Sequence, residues 1–171
     1  MVDSDDIPII GKSHDTPESR LLEVIAFSSG TVEGRTKLMK LAFFSEYYDP
    51  DTDSLQPDER VGAFKDFFIY DYGPFSKDVM EAFSSLKDDG LIEEETELTF
   101  ANNRRKVIRL TDEGRELADD LDSPTNPIRQ AVSRFGDMSA SDLESESLER
   151  LGISRKMKSR YKHRDVSSLI G

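Results

Sequence analysis

The side chains that most often carry acid–base, nucleophilic or metal chemistry are scarce in this sequence. It contains no cysteine and two histidines, His14 and His163, which stand near opposite ends of the 171 residues. Disulfides, thiolate zinc sites and cysteine nucleophiles are therefore excluded, and a Ser-His-Asp arrangement or a histidine metal site would need improbable partners for one of these two histidines. Neither G-x-x-x-x-G-K nor G-x-S-x-G occurs. We expect a protein that is not an enzyme and holds no metal and no cofactor.

The stretch YDYGPFSKDV, residues 70 to 79, places a glycine turn in front of a predicted helix. A phosphate cradle needs several converging backbone N–H groups, and one glycine supplies too few. A structural role fits better. Ser76 is a good N-cap, Phe75 can pack on the residue at N4 as a hydrophobic staple, and Gly73 and Pro74 set the approach angle. We therefore assign Tyr72 and the four residues after it to the fold.

Four bases lie at or close behind the predicted tip of a β-hairpin. Arg104, Arg105 and Lys106 cluster there, with Arg109 behind them. At such a tip, cations contact the backbone or the minor groove of DNA. The alternative is an exposed turn that its charges keep soluble, and the sequence does not decide between the two.

A second basic cluster is RKMKSRYKHR, residues 155 to 164, which holds six bases, one tyrosine and one histidine. It is typical of a contact with nucleic acid or an acidic partner, in which the tyrosine stacks. It is equally typical of a flexible terminus or of a segment folded back on the acidic body of its own chain. The candidate contact residues are Arg155, Lys156, Lys158, Arg160, Tyr161 and Lys162.

The charge balance indicates where the protein works. Acids outnumber bases by 35 to 23, for a net charge of −12, which is a feature of halophile proteins. Residues 1–100 hold 23 acids and 9 bases, whereas residues 151–171 hold one acid and six bases. No apolar run approaches the roughly 18 residues of a membrane span, and the acidic start is unlike a signal peptide. We expect a cytoplasmic protein of a salt-adapted cell, with no membrane partner.

Helices follow from capping residues and apolar spacing. The predicted N-caps are Thr16, Ser76, Thr111 and Asn126, and a weaker helix over residues 139–151 has a capping box at Ser141 and Glu144. The segment AFKDFFIY reads as a short strand, and residues 92–110 read as a β-hairpin around the turn ANNR.

The predicted second helix, EGRTKLMKLAFFSEYY, has apolar residues on two sides, which indicates burial on two sides. Its opening bases Arg35, Lys37 and Lys40 either contact phosphates or pair with the acidic loop DPDTDSLQPDER that follows. We favour the pairing.

These elements resemble a known superfamily. VMEAFSSLKDDGLIEEE followed by VIRLTDEGRELA resembles the third helix, wing and closing helix of winged helix-turn-helix proteins. More narrowly, TKLMKLAFFSEYY combined with YDYGPFSKDV is similar to the Panacea family of SocA-like antitoxin domains and to related archaeal proteins. The similarity covers roughly residues 33 to 120. It implies antitoxin or regulatory work done by binding, and it supplies no catalytic residues.

We therefore predict a helix-rich α+β fold: a flexible acidic arm (1–15), a winged-helix domain with a two-stranded wing (16–122), a helical extension (123–153) and a basic tail (154–171). The leading functional hypothesis is an antitoxin-like module that recognises a protein partner, for example a toxin. The alternative is a transcriptional regulator that binds duplex DNA through the wing and the basic tail and forms a homodimer through residues 126–151. The predicted outward set of the third helix, Lys77, Glu81, Ser84 and Asp88, is mixed to acidic, which opposes deep insertion into a DNA groove.

Overall fold

The computed structural model describes residues 16–98, 100, 103–121 and 126–170, and its class is α+β, as predicted. The predicted acidic arm, residues 1–15, lies outside the described residues. The helices are α1 Pro17–Phe27, α2 Arg35–Tyr47, α3 Lys77–Asp88, α4 Asp112–Asp119, α5 Pro127–Phe135 and α6 Ala140–Arg150. The strands are β1 Thr31–Val32, β2 Tyr48–Asp49, β3 Ser54–Leu55, β4 Phe68–Tyr70, β5 Gly73–Phe75, β6 Ile92–Leu98 and β7 Arg104–Leu110.

Side-chain caps set the starts of the helices. Thr16, Ser76, Thr111 and Asn126 each accept a hydrogen bond from a backbone N–H in the first turn of the helix that follows, which confirms the four predicted N-caps. The helix predicted over residues 139–151 is present as α6, and only its predicted capping box was wrong. The N-cap is Ser139, whose side chain accepts from the N–H of Asp142, two residues before the predicted Ser141.

The main sheet has three antiparallel strands in the order β1-β7-β6. The predicted hairpin is present, with Ile92 opposite Leu110 and Leu98 opposite Arg104. The strand β1 was not predicted, and it pairs with the other edge of β7. Two further hairpins have two strands each. One of them, β2–β3, begins at Tyr48, the last residue of the predicted second helix, and otherwise lies within the predicted acidic loop. The other, β4–β5, contains the YDYG turn.

Helix α2 lies at the centre of the core. All its residues from Lys37 to Tyr47 are buried, which confirms the predicted burial on two sides. Phe44 of α2 stacks on Phe135 of α5 with ring centroids 3.9 Å apart. Because α5 and α6 add buried residues to the same apolar cluster as α1 to α3, the predicted extension and the predicted domain share one core.

The chain after α2 is held by a buried carboxylate. Glu46, near the end of α2, is fully buried, and its two oxygens accept hydrogen bonds of 2.7–2.9 Å from four consecutive backbone N–H groups. These belong to Val61, Gly62, Ala63 and Phe64. The carboxylate thereby fixes the loop that leads to β4.

The basic tail packs on the body of its own chain. It forms two 3₁₀ helices, Arg155–Tyr161 and Val166–Leu169. Between them, the N–H of His163 donates to the carbonyl of Ile69 at 2.7 Å, and the N–H of Ile69 donates to the carbonyl of Arg164 at 3.0 Å. Residues 163–166 thus run along the free edge of β4. None of the helices in the described part of the chain has the length and apolar content that crossing a membrane requires.

Candidate functional site

A cavity of about 240 Å³ lies between the β4–β5 hairpin and the helices α2 and α3. It opens at the YDYG turn, and its walls are mostly carbon. The residues that line it are Arg35, Thr36, Met39, Lys40, Tyr70, Asp71, Tyr72, Gly73, Phe75 and Met80.

Two tyrosines stand at this cavity with unusual exposure. The side chains of Tyr70 and Tyr72 are 38% and 64% exposed, and they are two of the four large apolar residues that the described chain leaves exposed. The other two, Leu98 and Phe100, belong to the β6–β7 region. Tyrosine combines a large apolar ring with a polar end, and it is enriched where proteins meet partners.

Gly73 allows the hairpin to approach α2 closely. Its φ is +93°, which favours glycine, and a Cβ at this position would lie 3.3 Å from Cε of Lys40. The hairpin register places Tyr70 opposite Gly73 and Ile69 opposite Pro74. Ser76 then caps α3 and donates its hydroxyl to the carbonyl of Lys65 at 2.7 Å. The structural roles predicted for Gly73 and Ser76 are therefore present, and the same turn also forms a wall of the cavity.

Lys40 was predicted to contact phosphates or to pair with the acidic loop, and the structure instead buries it at the cavity wall. Its side chain is buried, with 2% of the residue exposed, and its Nζ donates to the carbonyl of Pro74 at 3.2 Å. Burial lowers the pKa of this ammonium to about 8; Glu144 opposes that change and Lys158 adds to it. The predicted pairing with the acidic loop was wrong for Arg35, Lys37 and Lys40 alike.

Those helix cations have other partners. Arg35 makes two hydrogen bonds of 2.8 Å to the carboxylate of Glu94 on β6. This contact lowers the pKa of Glu94 to about 2. Lys37 lies 3.9 Å from Glu33. A cation on α2 therefore ties this helix to the main sheet.

Three bases of the tail hold it against the cavity rim. Lys158 lies 2.7 Å from Glu144 and also donates to the carbonyl of Asp71. Arg155 lies 3.4 Å from Glu144. Lys162 lies 2.8 Å from the carboxylate of Asp71, whose pKa this contact lowers.

The remaining predicted tail residues are placed differently. Lys156 and Arg160 are exposed, and no acid in the described ranges lies within ion-pair distance of either. Tyr161 is half-buried, and the guanidinium of Arg164 lies 5.5 Å from the centre of its ring. Some bases of the tail therefore pair with acids in the rest of the chain, and others face the solvent.

Of the bases of the β6–β7 hairpin, some likewise pair with acids and others face the solvent. Arg105 pairs with Glu97 at 3.2 Å, and Arg109 pairs with Glu95 and Glu97. Arg104 and Lys106 are exposed, and within the described residues no acid lies at ion-pair distance from them. The outward set of α3, Lys77, Glu81, Ser84 and Asp88, is exposed as predicted. The surface next to the hairpin is thus mixed to acidic.

No group of three or more histidine, cysteine or carboxylate side chains in the described part of the chain is arranged to hold a metal ion. No protein-family model, curated protein or solved structure matches this chain.

Proposed function

We propose that this chain is a cytoplasmic, non-catalytic regulatory protein of winged-helix architecture that recognises a partner protein, in the manner of an antitoxin. The element order supports the architecture: two helices flank a short strand, and after two short hairpins come a third helix and the β6–β7 hairpin. The pairing of β1 with β7 supports it further, because it joins the hairpin to the helical part in a three-stranded sheet.

The observation that carries the proposal is the cavity beneath two exposed tyrosines. Tyr70 and Tyr72 flank an apolar cavity of about 240 Å³. Protein interfaces concentrate their binding energy in such places, where an anchor side chain fills a pocket and aromatic residues surround it. A partner protein with one apolar anchor therefore fits this surface.

Binding of duplex DNA is the second candidate, and Arg104 and Lys106 favour it. These two bases are exposed and have no acidic partner among the described residues. Their neighbours oppose it, because Glu97 pairs with both Arg105 and Arg109. A surface that offers two free cations beside several carboxylates binds phosphate poorly, so we place a protein partner first.

Affinity purification of the tagged protein from its own cells tests the proposal. The wild type should retain one protein in stoichiometric amount, and Tyr70→Ser/Tyr72→Ser should lose it. The variant Arg104→Ala/Lys106→Ala is the matched control on the other candidate surface and should keep it.

A DNA-binding titration is the opposing measurement. If the wild type bound a duplex tightly, and Arg104→Ala/Lys106→Ala flattened the slope of log affinity against log salt by about 1.8, the DNA regulator would replace our proposal. Retention of the partner by the double tyrosine variant would also contradict the assigned surface.

A further inference from the structure

The charges around the cavity indicate what kind of partner it takes. We propose that the cavity binds an apolar side chain, of the size of leucine or phenylalanine, from a partner segment that carries acidic residues on both sides of it. This inference rests on the proposed recognition of a protein and names the chemistry of the recognised segment.

The cavity lies in a positively charged region of an acidic protein. Its lining includes two bases, Arg35 and Lys40, and one acid, Asp71, which Lys162 neutralises. Glu94 is shared by two bases, at 2.8 and 3.4 Å, and Glu144 is likewise shared by two, at 2.7 and 3.4 Å. The lining residues and the ions that interact with them thus comprise six bases and three acids. The bases are Arg35, Lys40, Lys87, Arg155, Lys158 and Lys162; the acids are Asp71, Glu94 and Glu144.

This local excess is opposite in sign to the net charge of the molecule. The whole chain carries −12, so a basic segment would be attracted to much of the surface but less to this cavity. An acidic segment is repelled by acidic surfaces such as the outward face of α3 and is attracted here. Complementary charge of this kind selects a partner and fixes its orientation more than it adds affinity.

The walls of the cavity select an apolar group between those acids. Met39, Met80 and Phe75 line it, and the rings of Tyr70 and Tyr72 stand at the opening. A volume of about 240 Å³ equals that of about eight water molecules at ~30 Å³ each. That space admits one branched aliphatic or aromatic side chain, and methionine sulfur makes favourable contacts with an aromatic ring.

A nucleic acid fits this surface less well than a short acidic segment. A strand could stack bases on the tyrosines, but its phosphates would continue past the cavity. Along α3 they would meet Glu81 and Asp88, which are exposed. A peptide places its charges only beside the anchor and avoids that repulsion.

Methyl NMR of the full chain with ¹³C-labelled methionine tests the inference. Met39 and Met80 line the cavity, whereas Met138 packs against the core and does not line it. The probes are the blocked peptides Glu-Glu-Phe-Glu-Glu, Glu-Glu-Ala-Glu-Glu and Lys-Lys-Phe-Lys-Lys, and an oligothymidine. The acidic phenylalanine peptide should give saturable shifts of Met39 and Met80 but not of Met138, with at least tenfold higher affinity than the other three probes.

A charge-reversal pair supplies the control. Lys162→Glu places a negative charge beside Asp71 at the rim and should weaken the acidic peptide at least tenfold. Lys156→Glu changes the net charge equally at an exposed residue of the same tail, and it should weaken the peptide less than threefold. The Met138 resonance and the remaining methionine signals report whether each variant is folded.

Three outcomes overturn the inference: no shift at millimolar peptide, equal or tighter binding of the lysine peptide, or a response to the oligothymidine alone. The proposed function fails separately. If the acidic peptide does not bind but Tyr70→Ser/Tyr72→Ser still loses the native partner, recognition of a protein stands and only the assigned chemistry is wrong.

Discussion

Replacing Lys40 with methionine should change how the stability of the protein depends on pH. Burial lowers the pKa of the Lys40 ammonium from 10.5 to about 8 in the folded protein. Each pKa unit corresponds to about 1.36 kcal/mol, so holding the charged form in the folded state costs about 3 kcal/mol. Methionine has a side chain of similar length and removes this charge, although it also removes the hydrogen bond to the carbonyl of Pro74.

The sign of the pH dependence follows from the proton balance. Below pH 8 the lysine is protonated in both the folded and the unfolded chain, and the full cost is present. Between pH 8 and 10.5 the unfolded chain holds more protons than the folded one, so the stability of the wild type rises with pH. Above pH 10.5 both forms are neutral and the cost is gone. The free energy of unfolding of the wild type should therefore rise by about 3 kcal/mol relative to Lys40→Met between pH 7 and 10.5.

Urea denaturation followed by circular dichroism, at constant ionic strength and at pH 7, 8, 9, 10 and 10.5, measures this difference. Subtracting the variant from the wild type cancels the titration of all groups that the substitution leaves unperturbed. Lys156→Met is the matched control, because Lys156 is exposed and its substitution should leave the pH dependence unchanged. If the curves of the wild type and Lys40→Met ran parallel over this range, the described burial of the Lys40 charge would be wrong.

Three further substitutions test contacts around the site. Ser76→Ala should lower the free energy of unfolding by about 0.5 to 2 kcal/mol, since it removes the N-cap of α3; an unchanged thermal midpoint would contradict this. Glu46→Gln replaces one acceptor oxygen with an amide NH₂, itself a donor, opposite four backbone donors. Those four N–H groups should therefore exchange with deuterium faster than in the wild type. Equal protection in the two proteins would show that the carboxylate does not hold the loop. The pKa of Glu94 is lowered to about 2 chiefly because Arg35 donates hydrogen bonds to it, so the stabilisation from this contact is present above pH 4.5 and lost as the pH falls towards 2. In Glu94→Gln the thermal midpoint should therefore depend less on pH between 4.5 and 2 than in the wild type. An equal pH dependence in the two proteins would refute the pairing.

Local signals were sufficient for most of the regular elements. A cap depends on one side chain and the next three residues, so Thr16, Ser76, Thr111 and Asn126 could be recognised from the sequence. The β6–β7 hairpin likewise joins neighbouring segments through a short turn. By contrast, β1 has only two residues and exists because β7 pairs with it, and nothing in its own sequence specifies that partner.

The cavity could not be predicted, because it depends on segments that are distant in the sequence. Helical patterns place lysine on a solvated face, yet Lys40 is buried where Gly73 brings the hairpin against α2. Proline is also unfavourable within strands. Pro74 nevertheless lies within β5, and its carbonyl accepts a hydrogen bond from Lys40. The charge around the cavity depends on the tail, more than 80 residues further along the chain.

The path of residues 163–166 along β4 also bears on how the protein avoids self-aggregation. The strand β4 pairs with β5 on one side, and on the other side its backbone groups are met by the tail, where Phe68 forms a bridge with Asp165. An uncovered strand edge is a template for pairing with other chains. Proteolytic trimming of the tail would uncover that edge and would also remove Val166, which is fully buried, from the core. A molecule without residues 163–166 would therefore be a starting point for edge-to-edge oligomers.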